Sequence, residues 1–155
     1  MEKPRAGEKL LLAFSAYGTA APARRQKIAG GAEHTALLKS DGSLWTWGDN
    51  SFGALGDGTN TNRLIPVNEI TGAKDWVAVS AGEHHTVALK SDGTLWAWGW
   101  NANGQLGDGT TNDSTTPVQE FTEASDWVAV WAGDNYTVAL KSNGTLWAWG
   151  ENANG

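Results

Sequence analysis

The pentapeptide Leu44-Trp45-Thr46-Trp47-Gly48 returns as Leu95-Trp96-Ala97-Trp98-Gly99 and again as Leu146-Trp147-Ala148-Trp149-Gly150, each time after about 51 residues. A chain that recurs at this step builds one supersecondary unit several times, and each unit buries its apolar surface only against its neighbours. Alternation within each copy points the two Trp side chains to one side of a strand and Leu and Thr/Ala to the other. One full period predicts four strands. Trp76–Ser80 is the first, with Val77 and Val79 expected on one face, and His85–Lys90 is the second. Ser91-Asp92-Gly93-Thr94 is a hairpin turn, since Gly takes positive φ without a Cβ clash. Leu95–Gly99 is the third strand. A Gly/Asn/Asp/Thr-rich loop (101–116) leads to a fourth at Pro117–Glu120, where Pro117, lacking an N–H, suits a strand start or a sheet edge.

Both faces of these strands are apolar, bulky on one and small on the other. Sheets stacked face to face explain this, the Trp pair of one packing on the small residues of the next, as in propeller blades. A β-solenoid has shorter coils. The 10 Trp and 20 Gly fit short strands and tight turns, and with no cysteine there is neither a disulfide frame nor a thiolate metal site. The expected fold is all-β, about two and a half four-stranded antiparallel blades of a seven-bladed propeller.

The units read as 28–78, 79–129 and a short 130–155. Stepping back one period from Asp75-Trp76-Val77-Ala78-Val79 lands on Arg24-Arg25-Gln26-Lys27-Ile28, so the first unit lacks the front of its first strand. Glu151–Gly155 repeats the opening of the segment Trp100–Gly107 and stops. The chain therefore reads as a fragment of a longer protein. Residues 1–27 stand outside the repeat and read as a leader: a mildly basic start, the apolar run Leu10–Phe14, and the small-x-small pair Ala21 and Ala23 of a signal-peptide cleavage site. On that pattern a secreted or cell-surface location is favoured over a cytoplasmic one. The run is too short to span a membrane as a helix.

The net charge of −6 is uneven: residues 1–27 carry six Lys/Arg and two Asp/Glu, and residues 28–155 carry five and fifteen. Acidic repeats argue against gripping a nucleic-acid backbone.

The string Ala81-Gly82-Glu83-His84-His85-Thr86-Val87-Ala88-Leu89, then Asp92-Gly93, then Trp98-Gly99-Trp100-Asn101-Ala102-Asn103-Gly104-Gln105-Leu106-Gly107 resembles the repeat of the regulator of chromosome condensation family, in its near-regular bacterial form. The shared positions are Gly31, His34, Gly42, Trp47 and Gly48 in the first unit. They are Gly82, His85, Gly93, Trp98, Gly99, Gly104 and Gly107 in the second, and Gly133, Gly144, Trp149 and Gly150 in the third. The resemblance implies a propeller and a range of roles: nucleotide exchange on a small GTPase with chromatin binding, ultraviolet-B sensing, and bacterial secreted proteins that include a β-lactamase inhibitor. Photoreception in the family needs Trp and Arg before the His-Thr pair. Here those sites read Ala32-Glu33, Glu83-His84 and Asp134-Asn135, which removes that role.

Eight Trp are in register with the repeat and are expected in the core. Trp100 and Trp131 are not: Asp49 and Glu151 stand at the first position in the other units, Ala29 and Ser80 at the second. Both strands end at the same side of an antiparallel meander, so both indoles are expected on one rim beside Glu83, His84, Asp134 and Asn135, where aromatic anchors among polar groups suit a protein or glycan contact. His34 and His85 align with Tyr136, an exchange that a metal ligand or catalytic base would not survive. The loops at 56–60 and 107–113 are rich in oxygen donors, but turn chemistry accounts for them. No metal, no cofactor and no catalytic constellation is expected. The reading is a non-enzymatic interaction module with an unidentified protein partner, open blade edges that invite self-association, and two alternatives: a GTPase exchange factor, or a glycan or cell-wall binder.

Overall fold

The structure is a computed structural model and describes residues 27–153; the leader region 1–26 and the last two residues lie outside it. Eleven strands form three antiparallel sheets, and no helix occurs among the described residues. The first sheet is β1 (Lys27–Gly30), β2 (His34–Leu38), β3 (Leu44–Gly48) and β4 (Arg63–Asn68), in that order. The second repeats it as β5 (Trp76–Ala81), β6 (His85–Lys90), β7 (Leu95–Gly99) and β8 (Ser114–Gln119). The third holds β9 (Trp127–Ala132), β10 (Tyr136–Lys141) and β11 (Leu146–Gly150). Each sheet is a meander, and successive innermost strands β1, β5 and β9 touch one another. This is an arc of a β-propeller.

The expected Trp-on-small packing joins the blades, but of the eight Trp expected in the core only Trp76, Trp98 and Trp127 are buried; Trp45, Trp47, Trp96 and Trp149 are half-buried and Trp147 is 48% exposed. Trp76 and Trp98 of the second sheet are buried against Ala36, Leu38 and Leu44 of the first. Trp127 and Trp149 of the third sit on Val87, Leu89, Leu95, Ala97 and Leu106 of the second. The indole nitrogens find partners: Trp98 donates to the Ala54 carbonyl at 2.9 Å and Trp149 to that of Gln105 at 3.0 Å. Polar bridges follow the same register. His34 Nε2 meets Thr86 Oγ1 at 2.9 Å, His85 Nε2 meets Thr137 Oγ1 at 3.2 Å, and the Ser80 hydroxyl accepts the amide of Ala132 at 3.0 Å.

Three local expectations need correction. Val77 and Val79 do not share a face, because a bulge falls between Trp76 and Ala78 in the β5–β6 pairing. The extra residue reverses the alternation, so Val77 packs toward the third sheet and Val79, with Trp76, toward the first. The fourth strand starts at Ser114, three residues earlier than expected, and holds Pro117 in its interior. Gly99 pairs with Ser114 and Ala97 with Val118, so β8 bows out where it carries Pro117. An outermost strand tolerates the missing N–H. Finally, β1 begins at Lys27, a residue assigned to the leader, and pairs with β2 along four residues despite the lost front of the unit.

The oxygen-rich loops are closed hydrogen-bond hubs. Asn101 is buried; its amide donates to Asp108 Oδ1 and to the carbonyls of Thr110 and Asn112, and its Oδ1 accepts the Leu106 N–H. Asn50 does the same in the first unit with Asp57, Thr59, Thr61 and Leu55. The oxygens a cation would need are already engaged. Among the described residues no group of three or more His, Cys, Asp or Glu is arranged to hold a metal.

Candidate functional site

The inner turns of the three blades are laced into a stair. The Ala32 amide donates to the Glu83 carbonyl at 3.4 Å, and the Glu83 amide to the Asp134 carbonyl at 3.0 Å. Glycine is required for this approach: a Cβ on Gly82 would collide with the His85 ring and with the carbonyl oxygen of Gly133. The third strand of each unit returns to the same end, where the amides of Asp49, Trp100 and Glu151 donate to the carbonyls of Glu33, His84 and Asn135 at 2.8–2.9 Å. Two residues per blade are thereby neighbours along the backbone at this turn end of the strands: Glu33 and Asp49, His84 and Trp100, Asn135 and Glu151.

In the second blade that pair is aromatic, and a third ring joins it from the first. Phe52 lies 5.1 Å from His84 and 5.9 Å from Trp100, centroid to centroid, and His84 meets Trp100 edge-on at 6.2 Å. All three rings are half-buried. Glu83 reaches His84 at 3.9 Å. Asp49 stands close by; partial burial opposes its charge, but the hydrogen bonds from Ser51 and Asn62, with His84 nearby, hold its carboxyl below the usual range. In the third blade the corresponding contact is polar: Asn135 Nδ2 donates to Glu151 at 3.1 Å. A groove of about 310 Å³ runs along the inner turns, with Glu83 and Asp134 on its walls and glycine and alanine backbone as its floor.

Trp100, His84, Glu83 and Asp134 therefore share the turn end, as the sequence suggested, and Asn135 lies beside them. Trp131 does not join them. It pairs with Val138, while the adjacent pair Val130 and Ala139 faces the second blade, so alternation turns Trp131 to the far face of the third sheet. There it is 52% exposed, in company with Leu146 at 66%. Phe52 joins the site unexpectedly; it carries the same signal as Trp100, a ring standing where another unit has Asn103.

His34 and His85 are buried in the blade junctions. Burial above all lowers both to a pKa of about 4; His84 adds to the effect at each, His34 adds to it at His85, and Asp49 opposes it at His34. Neutral rings that hydrogen-bond threonine across a junction are structural. Two buried carboxylates also went unnoticed. Glu69 accepts the Thr71 and Ala73 amides, the Thr71 hydroxyl and the Trp76 indole N–H. Glu120 repeats the arrangement with Thr122, Ala124 and Trp127; burial opposes its charge, but these donors outweigh that and lower its pKa. No helix among the described residues is long and apolar enough to cross a membrane.

Comparison with known proteins agrees with this architecture. The regulator of chromosome condensation (RCC1) repeat matches residues 41–89 and 92–140, and a second pattern of the same description matches 26–54, 76–105 and 127–155. The chain is 37% identical over 131 residues to the ultraviolet-B receptor UVR8 of Arabidopsis thaliana, covering 83% of this chain and 30% of the receptor. It is 34% identical over 139 residues to human protein RCC2, covering 86% of this chain and 26% of RCC2. Among solved structures, human WBSCR16 superposes with a TM-score of 0.72 at 23% identity, over 83% of this chain and 34% of that one. Yeast Prp20p, described with its binding to Gsp1p and histones, superposes with a TM-score of 0.67 at 28% identity, over 82% of this chain and 32% of Prp20p. The chain thus spans about a third or less of each of these proteins. On repeat sequence, blade topology and inter-blade packing together, it belongs to the RCC1 repeat family.

Proposed function

We propose that this chain is a non-enzymatic protein-binding module whose contact surface is the turn end of the blades around Phe52, His84 and Trp100. The observation that carries the reading is the ring cluster itself. Each of its members departs from the repeat, and the fold brings the three departures into contact. Blade packing needs none of them, since the other units hold Asp, Glu or Asn at these places. Clustered aromatic side chains with a polar surround are the usual centre of a protein contact. His34 and His85 are committed to Thr86 and Thr137 across the blade junctions.

The test compares partner recovery by the wild-type chain with that by Trp100→Ser and Trp131→Ser after chemical cross-linking in a lysate. A partner retained by Trp131→Ser and lost by Trp100→Ser supports the reading. Equal recovery by all three overturns it.

A second reading, regulation of a small GTPase, draws on the likeness to Prp20p, which is described with its binding to Gsp1p. It expects faster nucleotide release from a candidate GTPase. The binding-module reading expects no acceleration.

A further inference from the structure

The lysines among the described residues gather at one end of the strands, where carboxylates accompany them, and the other end has none. Lys27 opens β1, Lys74 precedes β5, and Lys39, Lys90 and Lys141 follow or close β2, β6 and β10. All five lie at the end away from the inner turns. Several are engaged there: Lys90 with Asp75 at 3.6 Å, Lys141 with Asp126 at 2.9 Å, and Lys39 over the Trp45 ring at 3.8 Å. Arg63, the remaining described cation, opens β4 at the turn end, opposite Gly48, and its charge is met there by an ion pair with Asp57 at 2.6 Å. The turn end carries Glu33, Asp49, Glu83, Asp134 and Glu151 around the ring cluster, with no lysine among them.

Resting on the binding reading above, we propose that the partner presented to this surface is a basic polypeptide segment whose arginines stack on the Phe52–His84–Trp100 rings. A planar guanidinium can lie on an indole face and still offer its N–H fork to a carboxylate. Glu83 and Asp49 are placed beside the rings for that second contact. Lysine, a strongly hydrated point charge, gains less from the same rings. An acidic partner, a nucleic acid or an anionic membrane would face five carboxylates and desolvate them without compensation. The neighbouring groove, walled by Glu83 and Asp134, continues the acidic track along the inner turns, so a segment of several residues has a path.

The test uses the full chain and fluorescein-labelled twelve-residue peptides of alternating glycine and arginine, glycine and lysine, and glycine and glutamate, read by anisotropy at physiological salt. The arginine peptide is expected to bind at least tenfold more tightly than the lysine peptide, and the glutamate peptide not at all. Trp100→Ser and the surface variant Glu83→Gln are each expected to weaken arginine-peptide binding at least fivefold, and Trp131→Ser to leave it unchanged. Circular dichroism confirms folding of each variant, and Glu83→Gln removes only a surface charge. Equal binding of the arginine and lysine peptides, no binding at all, or unaltered binding by both Trp100→Ser and Glu83→Gln would overturn the proposal. If peptide binding fails while Trp100→Ser still loses its cross-linked partner, the basic-partner assignment falls and the binding surface stands.

Discussion

Acid should weaken the blade junctions before it touches the carboxylates. His34 and His85 have a pKa of about 4 in the folded chain, against an ordinary value of 6.5. Burial is the main cause, and each ring is fixed by a threonine of the next blade. A lowered histidine pKa means that the unfolded chain binds the proton more readily. Stability is therefore full above pH 6.5 and falls as the pH drops toward 4. Between pH 7.5 and pH 5 the linkage amounts to about 2 kcal/mol per histidine, or about 4 kcal/mol for the two. The carboxylates whose pKa is lowered, Asp49, Asp57 and Glu120 among them, lose their contribution only at lower pH and in the same direction. Urea unfolding followed by Trp fluorescence at both pH values measures the loss. In His34→Gln/His85→Gln the amide keeps a donor and an acceptor for threonine but takes up no proton. Most of the pH dependence should then disappear, whatever the variant's stability at pH 7.5. Wild-type stability equal at the two pH values, or a double variant that loses as much as wild type, would refute the assignment of these rings as buried and neutral.

Three further outcomes are expected. Gly82→Ala places a methyl group against the His85 ring and the Gly133 carbonyl; it should cost about 1–3 kcal/mol in urea unfolding, whereas Gly144→Ala, with nothing within 4 Å, meets only backbone strain at φ +85°. Asn101→Ala unfastens the loop held by Asp108, Thr110 and Asn112 and should speed proteolytic cleavage between 102 and 113, with wild-type rates there counting against the hub. The outward faces of the first and third sheets leave Ile28, Trp131 and Leu146 exposed, so light scattering of the 155-residue chain should show concentration-dependent association that Trp131→Ser with Leu146→Ser reduces; a strictly monomeric wild-type chain would contradict this.

The blade plan was legible because three copies vote on every position. The alternation of Leu95-Trp96-Ala97-Trp98 gave the inter-blade packing directly, since period-2 patterning and burial on both faces leave one arrangement. What was hidden lay where alternation is interrupted or where one residue type serves two purposes. The bulge at Val77 has no sequence signature of its own: Trp-Val-Ala-Val reads as an unbroken strand. Glu69 and Glu120 look like exposed charges at strand ends, and only the fold shows four donors converging on each. At the candidate site, comparing units exposed Trp100 and His84 as misfits. The same comparison cannot say where a misfit points, and so Trp131 was grouped with them although strand register turns it away.

At a single place on the innermost strand the units carry Ala29, Ser80 and Trp131. Where Ser80 stands, the following blade comes so near that the hydroxyl touches the amide of Ala132 at 3.0 Å. An oxygen fits that gap and an indole does not. The three modules are consequently not interchangeable tiles: a gene rebuilt with the third module inserted between the first two would jam at its inner edge. Sequence order is enforced by the bulk of one side chain as well as by covalent connection.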